Sequence, residues 1–298
     1  MDAVSTSNRP SRAWRKRIVA TARRPRRLRA FSLVVVASNV SAATRWREAL
    51  EAWALPPEIL AQAPESPWIH PPVLFQIPDV IEDSPSHRRA REVLAPGARV
   101  LDVGCGGGIA AFALTPPATS VIGVDHQGEM LEMFRDNARA RGVAVETVEG
   151  FWPAVANHVD RADVVVSHHV AYNVADIVPF LDALQDHASR RVVLELPDHH
   201  PLASLSSAWE HFWGLERPSA PTPEDLMNVL AEMGVVATRE SWRGAMRAER
   251  DLAQAAHFTR IRLCLAPERE GEVYDFLAAQ APTHERALST IWWDVEGR

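Results

Sequence analysis

Arg99-Val100-Leu101-Asp102-Val103-Gly104-Cys105-Gly106-Gly107-Gly108 is the stretch on which the fold turns. An apolar, β-branched run enters a glycine cluster, and a helix-compatible segment, 109–114, follows it. Strand, glycine turn and helix together bring backbone N–H groups close to a nucleotide-like ligand. The glycines read Asp-x-Gly-x-Gly-x-Gly from Asp102 to Gly108. A dinucleotide fingerprint, Gly-x-Gly-x-x-Gly, would need glycine where Ile109 stands. A second acid, Asp125, closes the next apolar run. A carboxylate at that place can accept both hydroxyls of a ribose.

Outward from this stretch the chain alternates strand and helix. Apolar runs at 119–125, 143–148, 163–167 and 191–196 read as strands, and 127–141 and 174–187 read as helices between them. Short apolar strands alternating with helices imply a parallel sheet covered on both faces. Before the glycine stretch, 43–55 is helical with Trp46, Leu50, Trp53 and Ala54 on one face. A second short helix, 57–62, follows, and 85–94 reads as a third. Between them, 63–85 is proline-rich and carries Trp68, His70 and Phe75, the pattern of a wrapping loop or lid. The last third is less regular. Helices are expected over 202–215, from Thr222 to Met233, over 248–265 and over 267–279, and strands over 235–242 and 287–295.

Composition bounds the rest. The chain has 298 residues, 47% of them hydrophobic, which is ample for a core. No apolar run approaches the roughly 20 residues of a membrane-spanning helix. Two cysteines, Cys105 and Cys264, make no disulfide framework and no CxxC pair. A reducing, cytoplasmic setting follows, without a thiolate zinc site. Of the 32 Lys and Arg, ten lie in the first 39 residues against one acid, so the remaining chain is strongly acidic. An acidic body argues against a broad nucleic-acid surface, and no membrane partner is expected. Residues 1–40 are expected to be a disordered basic tail preceding the native start of translation. An export signal and a nucleic-acid arm are the other readings of that segment.

Val100 to Gly108, followed by Val121-Ile122-Gly123-Val124-Asp125, resembles the first two motifs of the class I S-adenosylmethionine-dependent methyltransferases, bacterial small-molecule type. The resemblance covers roughly 96–298 and is most specific over 98–135. It implies a seven-stranded Rossmann-like α/β sheet, mainly parallel, with the last strand, 287–295, antiparallel between strands five and six. Residues 41–95 would form an N-terminal helical cap over the rim of that domain. Helical insertions are expected at about 200–217 and 246–282. The implied cofactor is S-adenosyl-L-methionine. The backbone of Gly104, Cys105, Gly106 and Gly108 would cradle its methionine part, and Asp102 would orient the amino group. Asp125 would bind the ribose and His126 would lie against the adenine. The family's third position falls on Glu149, and Phe151 or Trp152 would either stack on adenine or join the core.

The fourth motif of the resemblance falls on Ser167-His168-His169-Val170-Ala171-Tyr172-Asn173, whose strand end faces the transferable methyl group. It is not the Asn-Pro-Pro-Tyr signature of amino-directed DNA methyltransferases. A histidine can take a proton near neutral pH, so His168 and His169 are the candidate bases. Tyr172 and Asn173 would position the acceptor, and His168 would also border the cofactor. Adjacent side chains on an extended strand point to opposite faces, so only one histidine is expected to face inward. A second pair, His199 and His200, follows Asp198 on the same rim. They read as exposed loop histidines before metal ligands, and no metal is expected. The aromatic helix with Trp209, Phe212 and Trp213 reads as core or as a lid. The resulting expectation is transfer of a methyl group to oxygen or nitrogen of a small molecule. An RNA or protein methyltransferase, a non-catalytic S-adenosylmethionine-binding protein and an NAD-binding oxidoreductase are the alternatives. The acceptor and the oligomeric state are not specified by the sequence.

Overall fold

The computed structural model describes residues 40–68, 75–245, 251–280 and 285–295. The basic tail and His70 lie outside the described residues. Val40–Arg298 form one compact unit.

The chain runs α1 (Ala42–Glu51), α2 (Pro57–Leu60), α3 (Pro85–Arg91), β1 (Arg99–Val103), α4 (Ile109–Phe112), β2 (Ser120–Asp125), α5 (Gly128–Arg141) and β3 (Ala144–Glu149). It continues through β4 (Ala162–His168), α6 (Ile177–His187), β5 (Ala188–Pro197), α7 (Ser206–Trp213), α8 (Pro223–Glu232), β6 (Thr238–Ala245), α9 (Leu252–Arg262), α10 (Glu270–Ala278) and β7 (Glu285–Asp294). The strands form one sheet in the order β3-β2-β1-β4-β5-β7-β6. Neighbours from β3 to β5 are parallel, and β7 runs antiparallel to both β5 and β6. The expected seven-stranded sheet with an antiparallel inserted strand is therefore present. Strand order reverses between β1 and β4, so their carboxyl ends open onto a crevice.

Alternation along the strands divides the core. Leu101, Val165, Val192, Leu194 and Ile291 face one side, with Trp46 of α1, Phe180 of α6 and Leu226 of α8. Val100, Val164, Val166 and Val193 face the other side, with Ala90 of α3, Phe112 of α4 and Phe134 of α5. A third cluster joins Ile59, Trp209, Leu263 and Val273, so the aromatic helix α7 packs against α9 and α10. Trp213 donates to the Leu263 carbonyl at 2.7 Å. These contacts make the stripe of α7 packing rather than a lid.

The N-terminal helices are tied into both faces. Ser41 caps α1 by accepting from Thr44 N–H, and the Ala42 N–H donates to Glu232 of α8 at 2.7 Å. Trp46, fully buried, stacks on Tyr172 and donates to the Val174 carbonyl at 2.9 Å. On the opposite face, α3 starts in a reciprocal capping box between Ser84 and His87. Its polar side chains meet a polar row across the sheet. Ser86 pairs with Thr290 of β7 at 2.6 Å, and Arg89 pairs with Glu240 of β6 at 2.9 Å.

Some boundaries differ from expectation for local reasons. The helix expected from Val174 starts at Ile177, because Ala171–Asn173 form a 3-10 turn first. The strand expected at 235–242 is displaced to Thr238–Ala245, with Val236 left 93% exposed. The apolar Val235-Val236 pair mimics a strand start, whereas register with β7 sets the true one.

Removal of the Trp46 side chain deletes the α1 anchor and opens a large cavity. Trp46→Ala is expected to lower unfolding stability by about 3–5 kcal/mol, read as a lower urea midpoint at unchanged slope. A change below about 1 kcal/mol would mean that α1 is not part of the cooperative core.

Candidate active site

The glycine turn is shaped by two carboxylates. Asp125, at the end of β2, accepts from the Gly106 N–H and the Gln127 N–H, both at 3.0 Å. Asp102, on β1, accepts from the Ala111 N–H of α4 at 3.2 Å. Gly108 precedes α4 with φ 95°, a left-handed conformation costly for a residue with a Cβ. A Cβ on Gly107 would collide with the Phe75 carbonyl oxygen. The segment ending the proline-rich stretch thus lies directly on the turn, and the ring of Phe75 sits beside Gly106.

Asp102 is 1% exposed, and burial pushes its carboxyl up to about 7. The Ala111 N–H opposes that shift and the Asp125 charge adds to it. A buried carboxyl in this state is matched by an ammonium group, which supplies the missing countercharge. Each Asp125 oxygen accepts one backbone N–H and keeps capacity for a second donor. This donor set fits an amino acid joined to a ribose, as S-adenosylmethionine is. Cys105 is buried, and burial raises its thiol well above the ordinary range, so it is inert packing beside Gly123.

At the ends of β2 and β3, His126 and Phe151 stack on each other at 4.7 Å and 22°. Phe151 is 70% exposed. The two residues assigned separately to adenine therefore form one open aromatic face. Glu149 pairs in register with Asp125, and its carboxylate lies beside Gly128 at the start of α5. Trp152 instead donates to the Phe180 carbonyl and joins the core.

On the other side of the crevice, register places His168 of β4 beside Glu195 of β5, and Glu195 beside Thr290 of β7. Glu195 is buried. Burial would raise its carboxyl, but His168 and His169 more than offset this and hold it well below the usual range. Ser84, the cap of α3, donates to it at 3.4 Å, and His87 stacks on His168 at 5.8 Å. His169 Nε2 lies 3.1 Å from Glu195 Oε1 and 3.2 Å from Arg286 Nη2.

The expectation that only one of the two histidines faces inward is overturned here. β4 ends at His168, and His169 takes φ 63°, a left-handed conformation. Strand alternation stops at that residue, and both rings converge on Glu195.

Tyr172 is buried and its hydroxyl donates to the Pro197 carbonyl at 2.8 Å. Burial, with the nearby Asp198 charge, raises that hydroxyl's pKa. Its visible work is to join the ends of β4 and β5. Asn173 is exposed in the same 3-10 turn.

The second histidine pair diverges. His199 is exposed, whereas His200 stacks on Trp53 at 4.1 Å, and burial lowers its pKa to about 4. Asp198 accepts from Ser289 at 2.6 Å and pairs with Arg239. Among the described residues no group of three or more His, Cys, Asp or Glu is placed to hold a metal ion.

Sequence reasoning missed Glu195, Arg286, Ser84 and His87. A single acid inside the apolar run Val192 to Leu196 was the one available signal for Glu195.

Comparison with known proteins finds likenesses to methyltransferases. The model of a methyltransferase domain matches residues 100–189. A ubiquinone biosynthesis O-methyltransferase of Chelativorans sp. is 31% identical over 86 residues, 29% of this chain and 34% of that relative. A ribosomal protein L11 methyltransferase of Aeromonas hydrophila is 30% identical over 147 residues, 49% of this chain and 44% of that relative. The matches thus span less than half the length of these curated relatives. The solved YcgJ protein of Bacillus subtilis, 17% identical, superposes with a TM-score of 0.48 over 72% of this chain and 99% of its own. Residues 100–189 are thus similar to a methyltransferase domain, and S-adenosylmethionine is the cofactor this likeness implies.

Proposed function

We propose that this protein transfers the methyl group of S-adenosylmethionine to oxygen or nitrogen of a small molecule. The observation that carries the reading is the pair of carboxylates, Asp102 and Asp125, set on either side of the glycine turn. Asp102 would face the ammonium group of the methionine part. Asp125 would accept the ribose hydroxyls while its N–H contacts keep the turn closed. The stacked His126 and Phe151 would offer a face for adenine, and Glu149 would lie near its amine. Gly104, Cys105, Gly106 and Gly108 would supply backbone to the methionine part.

S-adenosylmethionine supplies an electrophilic methyl on a sulfonium. The rest of the work falls to this chain: orienting the acceptor in line and excluding water. The Phe75 segment over the turn and the α3 face suit that exclusion. His168 and His169 would serve as proton acceptors at the rim, with Tyr172 and Asn173 shaping its border. A protein acceptor is a second reading, favoured by the 147-residue match to a relative named for a ribosomal protein. Release of S-adenosylhomocysteine is the assay for both, run with a panel of phenols, catechols and amines and with ribosomal protein. Turnover of small molecules supports the first reading. Turnover of the protein alone supports the second.

Two outcomes test the cofactor assignments. Asp125→Ala is expected to weaken S-adenosylmethionine binding at least about tenfold by calorimetry, a loss of about 1.4 kcal/mol. Undiminished affinity, or binding of NAD in its place, would contradict the ribose assignment.

The second outcome concerns stability. The Asp102 carboxyl titrates near 7 in the fold and near the ordinary 3.8 when unfolded. Between those values the folded chain holds a proton that the unfolded chain has lost, so stability falls as pH rises. Asp102→Asn is expected to flatten the decline in urea stability from pH 5 to pH 7 by about 1–2 kcal/mol. An identical slope in variant and wild type would remove the buried-carboxyl account.

A further inference from the structure

Around His169 two polar side-chain atoms are buried with no hydrogen-bond partner: His169 Nδ1 and Arg286 Nε. The side chains that carry them meet at His169 Nε2, where Glu195 Oε1 and Arg286 Nη2 compete for one atom. A guanidinium only donates and a carboxylate only accepts, so a single tautomer cannot satisfy both.

The carboxylate decides the contest. Glu195 is buried, its Ser84 contact is long at 3.4 Å, and His168 lies 4.0 Å away. Without a hydrogen on His169 Nε2 the buried charge would lose its closest charged partner and rely on the hydroxyls of Ser84 and Ser86 and the more distant His168, which is the costlier arrangement. Arg286 is then left as a half-buried cation beside a neutral ring. Burial pulls its pKa down and the Glu195 charge opposes that. The groups facing His169 are thus Glu195 of β5, Arg286 of β7 and His168 of β4, with His87 of α3 behind His168.

We propose that Glu195 positions His169 as the Nε2–H tautomer, leaving Nδ1 as the base, and that Arg286 holds the acceptor oxygen. The acceptor class is then an acidic hydroxyl, a phenol or an enol. This rests on the methyltransferase reading above. The two orphaned atoms have complementary needs: Nδ1 lacks a hydrogen to accept and Nε lacks an acceptor. A hydroxyl answers both, because it donates its proton and accepts on its oxygen.

In the reaction the O–H proton passes to His169 Nδ1. The oxygen forms its bond to the methyl carbon as the carbon–sulfur bond breaks, and that electron pair stays on sulfur. The imidazolium faces Glu195, which stabilises it until the proton passes to water. Glu195 is a positioning residue in this scheme, because it acts through His169.

The tautomer is read without any acceptor. Two-bond proton–nitrogen NMR of the full chain with labelled histidine distinguishes the two ring nitrogens, and His169→Asn assigns the signal. The expected result is a hydrogen on Nε2 in the wild type, lost or mixed in Glu195→Gln. A hydrogen on Nδ1 in the wild type overturns the proposal.

The acceptor class is read with para-nitrophenol and bound S-adenosylhomocysteine, following phenolate absorbance. Bound probe is expected to ionise at least about tenfold more readily than in water, an effect lost in Arg286→Gln. No binding, ordinary ionisation, or an unchanged effect in the variant each overturns the acceptor assignment and leaves a trapped water as the partner of the two atoms. Calorimetry with S-adenosylhomocysteine separates this from failure of the wider reading. Binding to wild type and variants alike keeps the methyltransferase reading whatever the tautomer proves to be.

Discussion

One carboxylate holds the crevice together. Asp125 reaches from the end of β2 to the Gly106 N–H in the turn after β1 and to the Gln127 N–H before α5. It thereby fixes the turn against its neighbouring strand and sets the start of the 14-residue helix that follows. The glycines make this contact sterically possible, and the Phe75 segment can lie on the turn because Gly107 has no side chain. The seat of Phe75 on the turn and the approach of α4 to Asp102 both depend on that closed turn.

The sheet divides the chemistry between its halves. The β3-β2-β1 side carries the carboxylates and the open aromatic face suited to a nucleoside and an amino acid. The β4-β5-β7 side carries a polar row, His168, Glu195 and Thr290, covered by the capped start of α3. Antiparallel insertion of β7 is what brings Arg286 to His169, because it lays the start of the last strand beside the carboxyl end of β5. The inserted strand therefore reaches the histidines at the end of β4 as well as the core.

The legible part of the structure was the part written locally. Asp102, the glycines and Asp125 lie within one strand-turn-helix-strand unit, and short-range rules place them. Apolar alternation likewise located most strands, and the helix expected from Thr222 is α8, with Thr222 as its cap. What was hidden depends on register between segments far apart in sequence. Glu195 faces His168 only because of the β4–β5 pairing, and Arg286 reaches His169 across 117 positions. The convergence of both histidines required the left-handed backbone at His169, which no residue type announces. The aromatic stripe of α7 was ambiguous between core and lid until α9 and α10 were seen against it.

The most direct measurement is a crystal structure of the full chain with S-adenosylhomocysteine. The account places the ribose hydroxyls on Asp125, the amino group facing Asp102, and the sulfur turned towards the rim formed by His168 and His169. A ligand seated away from the glycine turn, or an Asp125 carboxylate with no ligand contact, would contradict it.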